Sequence, residues 1–179
     1  TAVYTTVNVS RRFDTPGLYT VKLTVSDGMA NDSTTKTLTA GELTIDSDVL
    51  HTPEWLAIHE RKGHNTTTVP KDFYSGEIFI VETNSSPAPV SAVRAWLDAT
   101  GKDGGTLYVE TQLAPAGSAT RFRGQLYDEK LMSMTEGLPE GVVPIHFEIR
   151  YANGVVKRED VPVRIIGNAN EAVGVHRRR

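Results

Sequence analysis

The run His59-Glu60-Arg61-Lys62-Gly63-His64 comes nearest to a metal site by residue type. A zinc-protease helix needs two histidines four residues apart, with a glutamate between them, so that both imidazoles face one ion. Here the histidines stand five apart, which turns them about 140° from one another on a helix of roughly 3.6 residues per turn. Gly63 also stops the helix before His64. Solvated connector histidines are therefore the expectation, and His51 could join them only through tertiary folding.

The acids offer two further chemistries. Asp46-Ser47-Asp48, and Asp27-Gly28 with Asn31-Asp32, carry oxygen ligands suited to a structural Ca²⁺. Neither follows the EF-hand series that ends in a bidentate Glu, and turn and cap chemistry explains both clusters equally well. Glu77, Glu82, Asp98, Glu110 and Glu148 fall on expected strands, most of them on the wet face. That leaves no converging carboxylate pair for glycoside hydrolysis. The chain also lacks a G-x-S-x-G elbow and a phosphate-cradling glycine loop. The expectation is a non-enzyme with no catalytic residue and no cofactor, structural calcium aside.

Aromatic faces suit sugar rings and apolar partners. Trp55, Trp96, Tyr108 and Tyr127 are the relevant residues. Val93, Ala95 and Leu97 share one strand face and leave Trp96 on the other; Tyr108 likewise opposes Leu107 and Val109. Trp55, Trp96 and Tyr108 are thus the candidates for ligand or inter-module contact, with cover by a neighbouring element as the alternative. Arg121 and Arg123 alternate with Phe122, as on a solvated strand that resists edge pairing. Asn8, Asn31, Asn65 and Asn84 fit the N-x-[ST] glycosylation acceptor. Lys71 with Asn168 or Asn170 is the one tempting isopeptide pairing.

The elements that must hold these residues read as all-β. The chain has 179 residues, 39% of them hydrophobic, no cysteine and a formal net charge of −3. That balance argues against nucleic-acid or anionic-lipid binding. No apolar run reaches the roughly 18–20 residues of a bilayer span, so no membrane span is expected. No signal peptide is visible, and the chain is expected to be a processed form or a fragment. Tyr19, Val21, Leu23 and Val25 alternate with polar residues between Pro16-Gly17 and Asp27-Gly28, a strand between turns. A further strand is expected at about Thr34–Thr39. Thr52, Pro53 and Glu54 read as N-cap, first helical residue and dipole partner of a helix over about Pro53–Lys62. Six strands are expected at Glu77–Thr83, Val90–Leu97, Thr106–Leu113, Thr120–Asp128, Val142–Tyr151 and Val155–Ile166, the last pair joined by the hairpin signal Asn153-Gly154.

The run Arg12-Phe13, then Pro16-Gly17-Leu18-Tyr19-Thr20-Val21-Lys22-Leu23-Thr24-Val25-Ser26-Asp27-Gly28, resembles the second half of a PKD domain. The family's W-x-F-G-D-G run is absent, and the resemblance covers about residues 1–41. It implies an immunoglobulin-like β-sandwich of the kind repeated as spacers in secreted and surface proteins. The expected organisation is then residues 1–41 as the end of a PKD-like sandwich, 42–69 as a connector with a short helix, 70–167 as a second immunoglobulin-like sandwich, and 168–179 as a tail or linker. The expected role is structural or adhesive, at the cell surface or outside the cell. Its partners would be neighbouring modules, copies of itself in a surface layer or filament, or a polysaccharide. Carbohydrate binding as the accessory of a secreted hydrolase is the alternative.

Overall fold

The computed structural model describes residues 3, 5, 9–14 and 17–173. Asn8, Pro16 and the basic run at 176–179 lie outside the described residues.

Strands β1 (Gly17–Ser26) and β2 (Asn31–Ala40) form an antiparallel ribbon, registered from Gly17 opposite Ala40 to Ser26 opposite Asn31. The Asp27 carboxylate closes its tip by accepting from the N–H groups of Met29 (2.9 Å) and Ala30 (2.8 Å). Those bonds hold its carboxyl below the usual range. One face of the ribbon leaves Val21, Leu23 and Val25 exposed.

The rest of the chain folds about one core. Strands β3 (Ile45–Leu50), β5 (Phe79–Ser85), β9 (Arg121–Leu126) and β8 (Ala114–Pro115) make a four-stranded sheet in that spatial order. Facing it is a five-stranded sheet in the order β4 (Lys71–Ser75), β11 (Val156–Asn168), β10 (Gly141–Tyr151), β6 (Val90–Thr100), β7 (Thr106–Gln112). All neighbours are antiparallel except β4 and β11, which run parallel. Strand β10 shows why the sheets stack. Ile145, Phe147 and Ile149 are buried while Pro144 and Arg150 face out, so one face meets Val49, Phe79, Val81 and Phe122 of the other sheet. Burying each such side chain contributes about 1.5–3 kcal/mol.

Helix α1 (Pro53–Lys62) has the expected caps: Thr52 accepts from the Trp55 N–H at 3.4 Å, and Gly63 turns left-handed at φ 72°. Two short helical turns, α2 (Glu129–Met132) and α3 (Ala169–Ala172), complete the described elements.

The boundaries differ from expectation in two places. Residues 45–50, expected in a connector, form a sandwich strand, and Leu43 and Val49 lie in the core. Residues 168–172, expected in a tail, end the fold: Asn168 is fully buried and its amide donates to the carbonyls of Met132 (3.3 Å) and Ser133 (3.2 Å). The ribbon meets the sandwich where Leu18 packs on the core, Thr39 accepts from Asn153 (3.1 Å) and Glu42 pairs with Lys157 (3.5 Å). Among the described residues no helix is long and apolar enough to cross a membrane.

Candidate functional site

The outer face of the five-stranded sheet collects two of the three aromatic candidates. Register sets Arg158, Glu148, Arg94 and Gln112 in one transverse row, and Asp160, His146, Trp96 and Glu110 in the next. Tyr108 stands opposite Asp98, one step further, and is 52% exposed. Trp96 stacks on His146 (5.1 Å between centroids, 26°) and under the Arg94 guanidinium (4.7 Å). His146 is fixed by Asp160 at 2.7 Å. The Tyr108 hydroxyl donates to Glu110, which pushes its pKa up.

Glu148 anchors this face. It is 1% exposed and accepts from Arg158 (2.8 Å), Arg150 (3.0 Å) and Arg94 (3.2 Å). Burial pushes its pKa up, but the hydrogen bonds from Arg158, Arg94 and Arg150 outweigh it and bring it down to about 2. The result is a flat, pre-organised grid of aromatic and paired charged groups, chemistry suited to stacking and hydrogen bonding with a polar partner.

Trp55 lies elsewhere. It sits on α1 with its ring 5.8 Å from Tyr74. Lys62, at the helix end, donates to the Ala172 carbonyl (3.2 Å) beyond the end of β11, whereas the ribbon docks near that strand's start. Among the described residues, the ring contacts of Trp55 are with His59 and Tyr74, on its own side of the sandwich.

Beneath Trp55 lies a cluster that the strand pattern conceals. His51 follows β3, His59 is on the inner face of α1, and Glu77 lies in the turn between β4 and β5. Glu77 and His59 are fully buried, and the His51 side chain is 2% exposed. Glu77 Oε1 meets His51 Nδ1 at 2.5 Å; Oε2 meets His59 Nε2 at 2.9 Å and accepts from the Tyr74 N–H at 2.9 Å. Burial pushes the Glu77 pKa up, yet the bonds from His51, His59 and Tyr74 hold it below the usual carboxylate range. Phe73 stacks on His51 (4.0 Å) and Tyr74 on His59 (5.0 Å), keeping the cluster dry.

Local sequence explains the convergence. Gly63 and His64 complete a helix stop in which the His64 N–H bonds the His59 carbonyl (3.0 Å) and the Gly63 N–H bonds that of Glu60 (3.1 Å). That reversal brings His64 Nδ1 to 3.1 Å from His59 Nδ1. Burial, then the neighbouring His59, lowers the His64 pKa. At the other side, Gly76 has φ 92°, and a Cβ there would stand 2.8 Å from Met132 Cα. Only glycine fits that turn, which aims Glu77 inward. The expectation of solvated histidines is thus overturned for His59, which His51 joins through the tertiary fold; Glu77 is fully buried, and Glu148, on the outer sheet face, is buried beneath its arginines.

Other candidates are bound up in the fold. Asp48 takes both oxygens to Lys71 Nζ (2.7 Å each), which leaves Lys71 opposite Val163 and bonded away from Asn168 and Asn170. Asp46, Asp48, Glu82 and Asn84 line a polar groove of about 360 Å³ with Lys71. Asn31 and Asn84 are exposed, whereas Asn65 donates both amide hydrogens within its loop, to Thr68 (2.6 Å) and Pro70 (3.0 Å). A glycan at Asn65 would break that arrangement.

The fold and sites therefore define a β-sandwich carrying a two-stranded ribbon, an ordered aromatic sheet face and a buried imidazole–carboxylate cluster. No protein-family model and no curated protein matches the chain.

Proposed function

We propose that this chain is a non-catalytic structural or adhesive segment of an extracellular surface protein, with a PKD-like ribbon followed by an immunoglobulin-like module. The observation that carries the reading is the ribbon's open apolar face. Val21, Leu23 and Val25 stay exposed although they alternate as core residues do. A two-stranded ribbon is marginal alone, and such a face calls for further strands against it. Two β bodies in series, joined through Leu18 on the core and a few polar contacts, are the form of a stalk or layer subunit. The strand orders of the two facing sheets, with the parallel β4–β11 pair at one edge, support the immunoglobulin-like assignment.

Surface labelling tests the role. Antibody against the sandwich should bind intact source cells, or label material shed from them. Labelling only after lysis overturns the reading.

A second reading rests on Trp96 and Tyr108, which share the outer sheet face. It assigns that face to polysaccharide binding. Retention on insoluble polysaccharide that Trp96→Ala abolishes, with the fold intact by circular dichroism, supports it. Equal retention of the variant removes it.

A further inference from the structure

We propose that His51, His59 and Glu77 form a site for one divalent transition cation of the zinc class. Two imidazole nitrogens and a carboxylate are a donor set that suits Zn²⁺. Their candidate donor atoms already lie within 4.8 Å of one another. Ligands about 2.0–2.2 Å from a tetrahedral ion stand roughly 3.3 Å apart. To admit it, the 2.5 and 2.9 Å contacts open by less than an ångström, and the widest donor separation, within 4.8 Å, closes by up to about 1.5 Å.

The surroundings are those of a structural metal centre. The ligands come from three separate elements, so the ion would staple α1 to the turn after β4 and to the end of β3. Phe73 and Tyr74 shut out water. His64 supplies the outer contact that a ligating imidazole needs. With the ion on His59 Nε2, the ring proton moves to Nδ1, which donates to His64 Nδ1, now 3.1 Å away. Both Glu77 oxygens face imidazoles, so the carboxylate can fill two positions and complete four donors without an outside ligand. In the metal-free state hydrogen bonds between Glu77 and the two imidazoles take the ion's place.

The test is calorimetric titration of the chelator-dialysed protein with ZnCl₂, alongside thermal unfolding and Co²⁺ absorption. One ion should bind per chain at micromolar Kd or tighter. A hundredfold excess over Kd should raise the folded-to-unfolded ratio about a hundredfold. Co²⁺ should show the visible absorption of a tetrahedral site. His64→Ala, which leaves all three ligands, should weaken binding about 10–100-fold. His59→Gln should abolish it; should that variant fail to fold, the His64→Ala shift and the Co²⁺ spectrum still decide. A double variant at the remaining histidines, His146→Ala with His176→Ala, should bind as the parent does. No heat and no thermal shift with Zn²⁺, an octahedral Co²⁺ spectrum, unchanged affinity in His64→Ala, or loss of binding in the double variant overturns the site and leaves a hydrogen-bonded cluster that holds only protons.

Discussion

Glu77 and Glu148 are withdrawn from water to the same depth, 0% and 1% exposed, yet they are held by different means. Glu148 sits beneath three guanidiniums that are always charged and whose side chains are 30%, 53% and 65% exposed for Arg94, Arg150 and Arg158. Glu77 has two imidazoles that are as dry as it is. One carboxylate is over-supplied with cations that keep contact with solvent. The other depends on each partner, because an uncompensated buried charge costs several kcal/mol. Redundancy therefore separates the two sites more than burial does.

The largest test of that contrast is deletion. Glu77→Ala should cost about 3–5 kcal/mol, the range for breaking a buried pair, in urea unfolding of the metal-free protein. Glu148→Ala should cost visibly less, since its arginines can turn to water. Equal losses would mean that burial alone governs both sites. Next comes the turn that aims Glu77. Gly76→Ala should cost about 2–3 kcal/mol by the same measurement, combining positive-φ strain with the approach to Met132. A loss under about 0.5 kcal/mol would show that the turn yields freely.

The pH response is smaller. The folded-state pKa of Glu148 is depressed from 4.5 to about 2. Its contribution is therefore fully present above about pH 4.5 and is lost as pH falls toward 2. The full shift corresponds to about 3 kcal/mol, reduced by solvent at the arginine heads to about 1–2 kcal/mol. Glu148→Gln should flatten the acid limb of the stability profile by that amount; an unchanged limb would place the acid sensitivity elsewhere. The smallest effect is Arg150→Ala, about 0.5 kcal/mol or less in thermal unfolding, because Arg94 and Arg158 still hold the carboxylate. A loss above about 2 kcal/mol would remove redundancy as the explanation.

Where alternation is strict, the fold was readable in advance. Strands β6, β7, β10 and β11 place apolar residues inward at every second position, so spacing alone puts Trp96 and Tyr108 on an outer face. Two strands lacked that signal. In β3 the polar run Asp46-Ser47-Asp48 imitates a connector, and in β4 all five residues are buried, which erases the alternation. The imidazole cluster was illegible for another reason. His51 and His59 lie 26 and 18 residues from Glu77, and no local period encodes such a meeting. One clue was present in Gly63. Measuring His59 against His64 along a continuous helix hides what the left-handed stop does, which is to fold His64 back onto the last turn.

The parallel pairing of β4 with β11 has a consequence for tension. The ribbon joins near the start of β11, and the chain leaves past Ala172 beyond its end. A pull on the two ends meets the β3–β5 pairing first, and once β3 and α1 yield it runs along β4 and loads the pairings of Lys71 with Val163 and of Phe73 with Ile165 side by side. An antiparallel terminal pair would instead unzip bond by bond. Force spectroscopy of the tethered sandwich should give one high rupture peak; a low, saw-toothed release would refute shear loading. So the strand that breaks the antiparallel rule is the one that lets the domain share a pull across a whole edge.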